Sequence, residues 1–205
     1  MKTSREQNFE RELPTGYKRA VHIDAKNAKF GIIFNLIGIL IWVIVVVGAI
    51  FSLRFNNEFA SGDYEIGESF YLAYAVLVVY FIYIILHELA HGIAYKMLTG
   101  EKLTFGISWS CAFCGVPKIY TYRKTALVAV MAPFVLFTLL SIPLLIFLYY
   151  FDPIYYLAAA ALFGLHFGGC SGDLYIFILL TTKFKSNKTL MHDTGPEMSL
   201  YVIEE

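Results

Sequence analysis

The run His87-Glu88-Leu89-Ala90-His91 places two imidazoles four residues apart with a carboxylate between them. On a helix, residues i and i+4 lie one above the other on the same face, so both histidines can reach a single Zn²⁺. Glu88 sits beside that face. There it can take a proton from a water whose pKa the metal lowers, the water-activating arrangement of metallohydrolases. Catalytic zinc also takes a third protein ligand and keeps one position open. Finding that ligand requires knowing which elements carry the candidates.

Of 205 residues, 58% are hydrophobic, 17% aromatic and 16% charged. An average soluble domain is roughly a quarter charged, so a water-soluble globule is excluded as the expectation. The formal net charge is zero, which leaves no basic field to attract nucleic acid. The first 29 residues are polar and of mixed charge, without the apolar stretch of a cleaved signal peptide. Three cysteines in such a chain do not make a disulfide framework.

Four apolar runs follow, at about 30–53, 70–95, 125–151 and 154–180, each long enough to cross ~30 Å of hydrocarbon. The third contains Pro133 and Pro143, which are expected to bend it without ending it. Lys and Arg number seven before the first run, one between the first and second, five between the second and third, none before the fourth, and three after it. The positive-inside bias thus puts both termini and the 96–124 loop in the cytoplasm. The expected fold is an all-α polytopic protein of the cell membrane with four transmembrane helices. Residues 1–29 form a cytoplasmic segment, 30–182 the membrane domain and 183–205 a cytoplasmic tail whose Leu200–Ile203 patch could add a strand or stay disordered.

Within the spans, the acid and imidazole outside the motif are Asp173 and His166. At 1.5 Å per residue, His87 and His91 lie about 26 and 32 Å from Phe70, Asp173 about 30 Å from Pro153, and His166 only about 20 Å. Depth therefore favours Asp173 as the third ligand, with His166 the other candidate. His166 shares a face with Asp173 if the span stays helical. It is then either an oxyanion-stabilising group of the site or a hydrogen-bond partner of a neighbouring helix. Gly168, Gly169 and Gly172 nearby permit close helix approach or local unwinding.

In the cytoplasmic loop, Leu103, Phe105, Ile107, Trp109, Cys111 and Phe113 alternate with smaller or polar residues. Period two predicts a strand, Cys114-Gly115-Val116-Pro117 a turn, and Lys118 to Tyr122 a returning strand, a membrane-associated β-hairpin over 103–122. Its apolar face, which carries Phe105, Ile107 and Trp109, is expected to dip into the membrane. Cys111 and Cys114 read as packing residues of this hairpin, since no second pair accompanies them, and Cys170 as small-residue packing.

The motif helix and the later in-span aspartate resemble the site-2-protease type of intramembrane zinc metalloprotease, although that family's Asp-Gly order is reversed here to Gly172-Asp173. The shorter chain, with its His87 to Gly92 run, Ala132-Pro133 and Gly172-Asp173-Leu174, is more similar to the small bacterial membrane proteins grouped as putative zincin peptidases. The resemblance implies a Zn²⁺ cofactor held by His87, His91 and Asp173, Glu88 as general base, and a membrane protein or peptide as substrate. It also implies a hairpin that presents substrate as an added strand through Phe105, Ile107 and Trp109, the alternative being a hairpin that merely anchors the loop. Two other classes compete. A metal transporter or sensor would line a cation path with these residues, but spans two and four are apolar towards the outer face. An inactive scaffold would use the hairpin to bind membrane partners.

Overall fold

The computed structural model describes residues 8–25, 27–55, 66–108 and 111–204. Among the described residues, three helices are long and apolar enough to cross a membrane, α1 (Ala28–Phe55), α2 (Ile66–Thr99) and α3 (Arg123–Phe151). A fourth crossing exists if α4 (Pro153–Gly169) and the piece formed by α5 (Ser171–Ile178) with the π-helical turn Leu179–Lys183 count as one broken span. Their apolar side chains point outward. Ile44 is 62% exposed and Leu139 66%, an arrangement that water would penalise at about 25 cal/mol per Å² and lipid would not. Helix α3 runs through Pro133 and Pro143 without a break. Helix α4 starts where Asp152 accepts hydrogen bonds from the Ile154 and Tyr155 amides, with Pro153 in the first turn, a side-chain cap that satisfies otherwise orphaned donors.

The chain folds as two compact units. Unit 2 comprises residues 35–84 and 134–171 and is helical among its described residues except at Asp152 and Cys170, which flank α4. Inside it α1 and α4 approach closely: a Cβ added to Gly38 would stand 3.0 Å from the Gly168 carbonyl oxygen. The Trp42 indole donates to the Ala161 carbonyl.

Unit 1 comprises residues 1–34, 85–133 and 172–205, and here the all-α expectation is incomplete. It holds a five-stranded antiparallel sheet, in the order β1 (Phe9–Glu10), β5 (Tyr120–Tyr122), β6 (Leu190–Asp193), β7 (Glu197–Ile203), β2 (Tyr17–Asp24). The N-terminal segment, read as polar, thus contributes strands to this sheet, and the Leu200–Ile203 patch of the tail lies in β7, the strand alternative of the two expected for it. The sheet's apolar members Ile23, Met191 and Leu200 pack with Ala126, Val130 and Leu180 in one core.

The hairpin also differs from the expectation. It is formed by β3 (Thr104–Ile107) and β4 (Ala112–Gly115), so the chain reverses after Ser108 and not at Cys114–Pro117. The expected returning strand, as β5, instead joins the larger sheet between β1 and β6. Glycine decides the pairing: Gly106 stands opposite Phe113, and any side chain at Gly106 would collide with the Phe113 ring.

Candidate metal centre

Helix α2 carries His87, Glu88 and His91 without interruption into unit 1. The two imidazoles stand edge to face with ring centroids 4.9 Å apart, as helical spacing requires. Asp173 comes from the first turn of α5, which begins directly after the break at Cys170. A carboxylate is favoured there because the helix N-terminus carries partial positive charge.

The three side chains converge. His87 Nε2 is 3.2 Å from Asp173 Oδ2, and His91 Nε2 is 3.4 Å from Asp173 Oδ1. All three residues are buried. Their ligating atoms lie within 4.8 Å of one another, close enough to share one metal ion. Ligands bound about 2.0–2.1 Å from a tetrahedral zinc are themselves about 3.3–3.4 Å apart, so the spacing suits that ion. The tautomer suits it too. His91 Nδ1–H donates to the Ala129 carbonyl at 2.8 Å, which leaves Nε2 as the lone-pair nitrogen aimed at Asp173, the way metal-binding histidines are commonly held. Glu88 is half-buried on the same helix.

The chain from residue 80 to residue 187, just over half its length, matches the family described as "Putative zincin peptidase". The chain belongs to this family. Membership implies a zinc metallopeptidase, and the zincin motif of this chain is the one whose side chains converge with Asp173. No curated protein and no solved structure matches the chain significantly.

Of the other candidates in this zincin-family chain, His166 lies in unit 2 and is buried there. Its Nδ1 is 2.8 Å from the Tyr83 hydroxyl and its Nε2 3.0 Å from the Thr138 hydroxyl, among the rings of Phe134, Phe137, Phe163 and Phe167. Both ring nitrogens of His166 are thus engaged by hydroxyls of neighbouring helices. Phe105 and Ile107 sit on β3, exposed at 50% and 83%; Trp109 lies outside the described residues. The hairpin rests on the motif helix at Gly92, where an added Cβ would come within 2.7 Å of Phe105 and 3.1 Å of Leu103. Cys114 packs at the same point, and its thiol is pushed up to about 12 by burial and then by the Asp193 and Glu88 carboxylates. A thiol kept protonated is a poor nucleophile and a poor ligand.

Two residues of this neighbourhood did not emerge from the sequence. Tyr95, four residues after His91, is buried and donates from its hydroxyl to Asp193 Oδ2 at 2.6 Å. Asp193 is equally buried, although it belongs to a strand of the tail. Spacing could have singled out Tyr95, which continues the His87–His91 face; nothing local distinguishes Asp193 from the other acids near the C-terminus.

Proposed function

We propose that the chain is a zinc-dependent intramembrane endopeptidase, of the site-2-protease kind, that hydrolyses peptide bonds of membrane-associated substrates near the cytoplasmic leaflet. The observation that carries this reading is the convergence of His87, His91 and Asp173 on one ligand-sized space between strongly apolar helices. These three residues would hold the zinc. Zinc bound there lowers the pKa of water and polarises a carbonyl. Glu88, half-buried beside the two histidines, takes the proton of the attacking water and returns it to the departing amine. His166 keeps to packing in unit 2.

Sheet topology supports four crossings. The strands before α1, between α2 and α3, and after α5 all belong to one sheet, so they must share one side of a membrane. Each intervening pair of helical segments then crosses an even number of times, and α4 with α5 serves as the return. The charge bias assigns that side to the cytoplasm.

The hairpin supplies a place for an extended peptide. Ser108 N–H donates to the Cys111 carbonyl, which makes 108 and 111 a hydrogen-bonded pair. By the alternation of antiparallel ladders, Phe105 and Ile107 then direct their N–H and C=O away from β4, towards the open edge. A substrate added as a strand would bond there.

The test is a cleavage assay in proteoliposomes with a transmembrane peptide, comparing the parent protein with Glu88→Gln. The variant is expected to keep its zinc and to lose roughly 10²–10⁴-fold in rate, the usual share of a general base. Unchanged cleavage with zinc still bound would falsify the mechanism.

A further inference from the structure

Asp193 lies beyond the stretch that matches the family, yet it is tied to three parts of unit 1 at once. Its Oδ2 accepts from the Tyr95 hydroxyl at the end of the motif helix, at 2.6 Å. Its Oδ1 accepts from the Gly195 amide at 2.8 Å. Its carbonyl accepts from the Val116 amide, directly after β4, at 2.8 Å. The turn that makes this possible needs glycine, because Gly195 has φ +100° and its α-carbon faces the Phe113 ring. Asp193 also stands close enough to act electrostatically on Glu88, His91 and Asp173.

Two physical arguments make this more than a buried hydrogen bond. The first is angular. An imidazole nitrogen roughly 6 Å from the helix axis moves about 1 Å when the helix turns by 10°, whereas metal–ligand distances tolerate about 0.2 Å. Tyr95 follows His91 by one helical turn on the same face, so whatever clamps the Tyr95 hydroxyl also limits the rotation of His91. The second is charge. Asp193 adds a buried carboxylate near half-buried Glu88 and buried Asp173, costly by itself, which a divalent cation held by the motif histidines and Asp173 would compensate.

We infer that Asp193 is a positioning residue for the metal centre: through Tyr95 it fixes the rotation of the motif helix, and through Val116 it ties that helix to the substrate hairpin. The inference rests on the proposed zinc site. It makes the C-terminal strands a working part of the centre.

Zinc affinity is to be measured on the full chain in detergent, by competition with a chromophoric chelator, together with the visible absorption of the Co²⁺ form. The variants are Tyr95→Phe, Asp193→Asn and the two combined. Tyr122→Phe is the control, since it removes a similar tyrosine–carboxylate bond, to Glu10 at 2.7 Å, in the same sheet. Tyr95→Phe and Asp193→Asn are each expected to weaken zinc binding roughly tenfold and to change the Co²⁺ spectrum. The double variant should bind no more weakly than the weaker single variant, because both act through one bond. Tyr122→Phe should bind as the parent does, even if it melts earlier. Parent-like affinity and spectrum in both single variants would overturn the inference alone. Failure of the parent protein to take up zinc would overturn the proposed function and the inference with it.

Discussion

Asp173 meets each motif histidine through a different oxygen, so its removal leaves two imidazoles without the anion that draws them together. Asp173→Ala is expected to weaken zinc binding by more than the 10–100-fold typical of losing a group outside the ligand set, measured by chelator competition. His166→Gln tests the opposite assignment. Glutamine can still bond the Tyr83 and Thr138 hydroxyls, so cleavage should stay near the parent rate, while each weakened hydrogen bond costs about 1 kcal/mol in thermal stability. A large loss of rate with unchanged stability would return His166 to the site. Asp193 makes a pH prediction. Burial holds its carboxyl up at about 6, above the roughly 3.9 of an unfolded chain. The folded state therefore binds the proton more tightly, and this contribution to stability is present below pH ~4 and lost as pH rises through about 6. In chelator-treated protein, the thermal midpoint of Asp193→Asn relative to the parent should rise between those values. A flat difference would mean that the carboxyl titrates normally.

Among the elements, the hairpin shows where a local pattern has two solutions. Alternation from Leu103 to Phe113 reads as one long strand, yet two paired strands also accommodate it: the register sets odd positions opposite even ones, so Phe105 and Cys114 share one face of the hairpin and Gly106 and Phe113 the other. Gly106 against Phe113, and the demand of the larger sheet for Tyr120–Tyr122, decide for two. Two substitutions probe this element. Ile107→Pro removes an amide directed at the open edge and leaves the β4 pairing intact. It should lower cleavage while zinc affinity stays at the parent value, and unchanged cleavage would remove the hairpin from substrate binding. Gly115→Ala would drive a methyl into the backbone of Thr194 and Gly195. Such overpacking costs about 1–3 kcal/mol, read as a lower thermal midpoint, and it should loosen the Val116–Asp193 bond as well.

At the scale of the whole molecule, the sheet that joins the N-terminal segment, the central loop and the tail restricts where the chain can cross a membrane. Cysteines introduced as Lys18→Cys and Lys188→Cys in a cysteine-free background should be shielded from an impermeant maleimide in intact cells. Tyr150→Cys, at the opposite end of α3 from the sheet and exposed, should be labelled. Labelling of the first two and not the third would reverse the orientation.

The apolar spans and the zinc motif were legible because both are local signals: hydropathy over some twenty residues and two histidines one helical turn apart. Counting depth along the spans nominated Asp173 from geometry that any helix shares. Two strands of the sheet were foreshadowed, at Lys118–Tyr122 and Leu200–Ile203, but their pairing was not legible. β2 and β7 are neighbours through residues such as His22 and Ser199, 177 positions apart, and a register shift between Arg19 and Val21 disrupts the alternation of β2. The turn of the hairpin and the place of Asp193 beneath the motif helix depend on the same long-range pairing. Composition and periodicity thus determined the helices and the metal-binding face. Tertiary structure alone decided which strands close beneath that face and which distant acid reaches it, because no window of sequence contains both partners of those contacts.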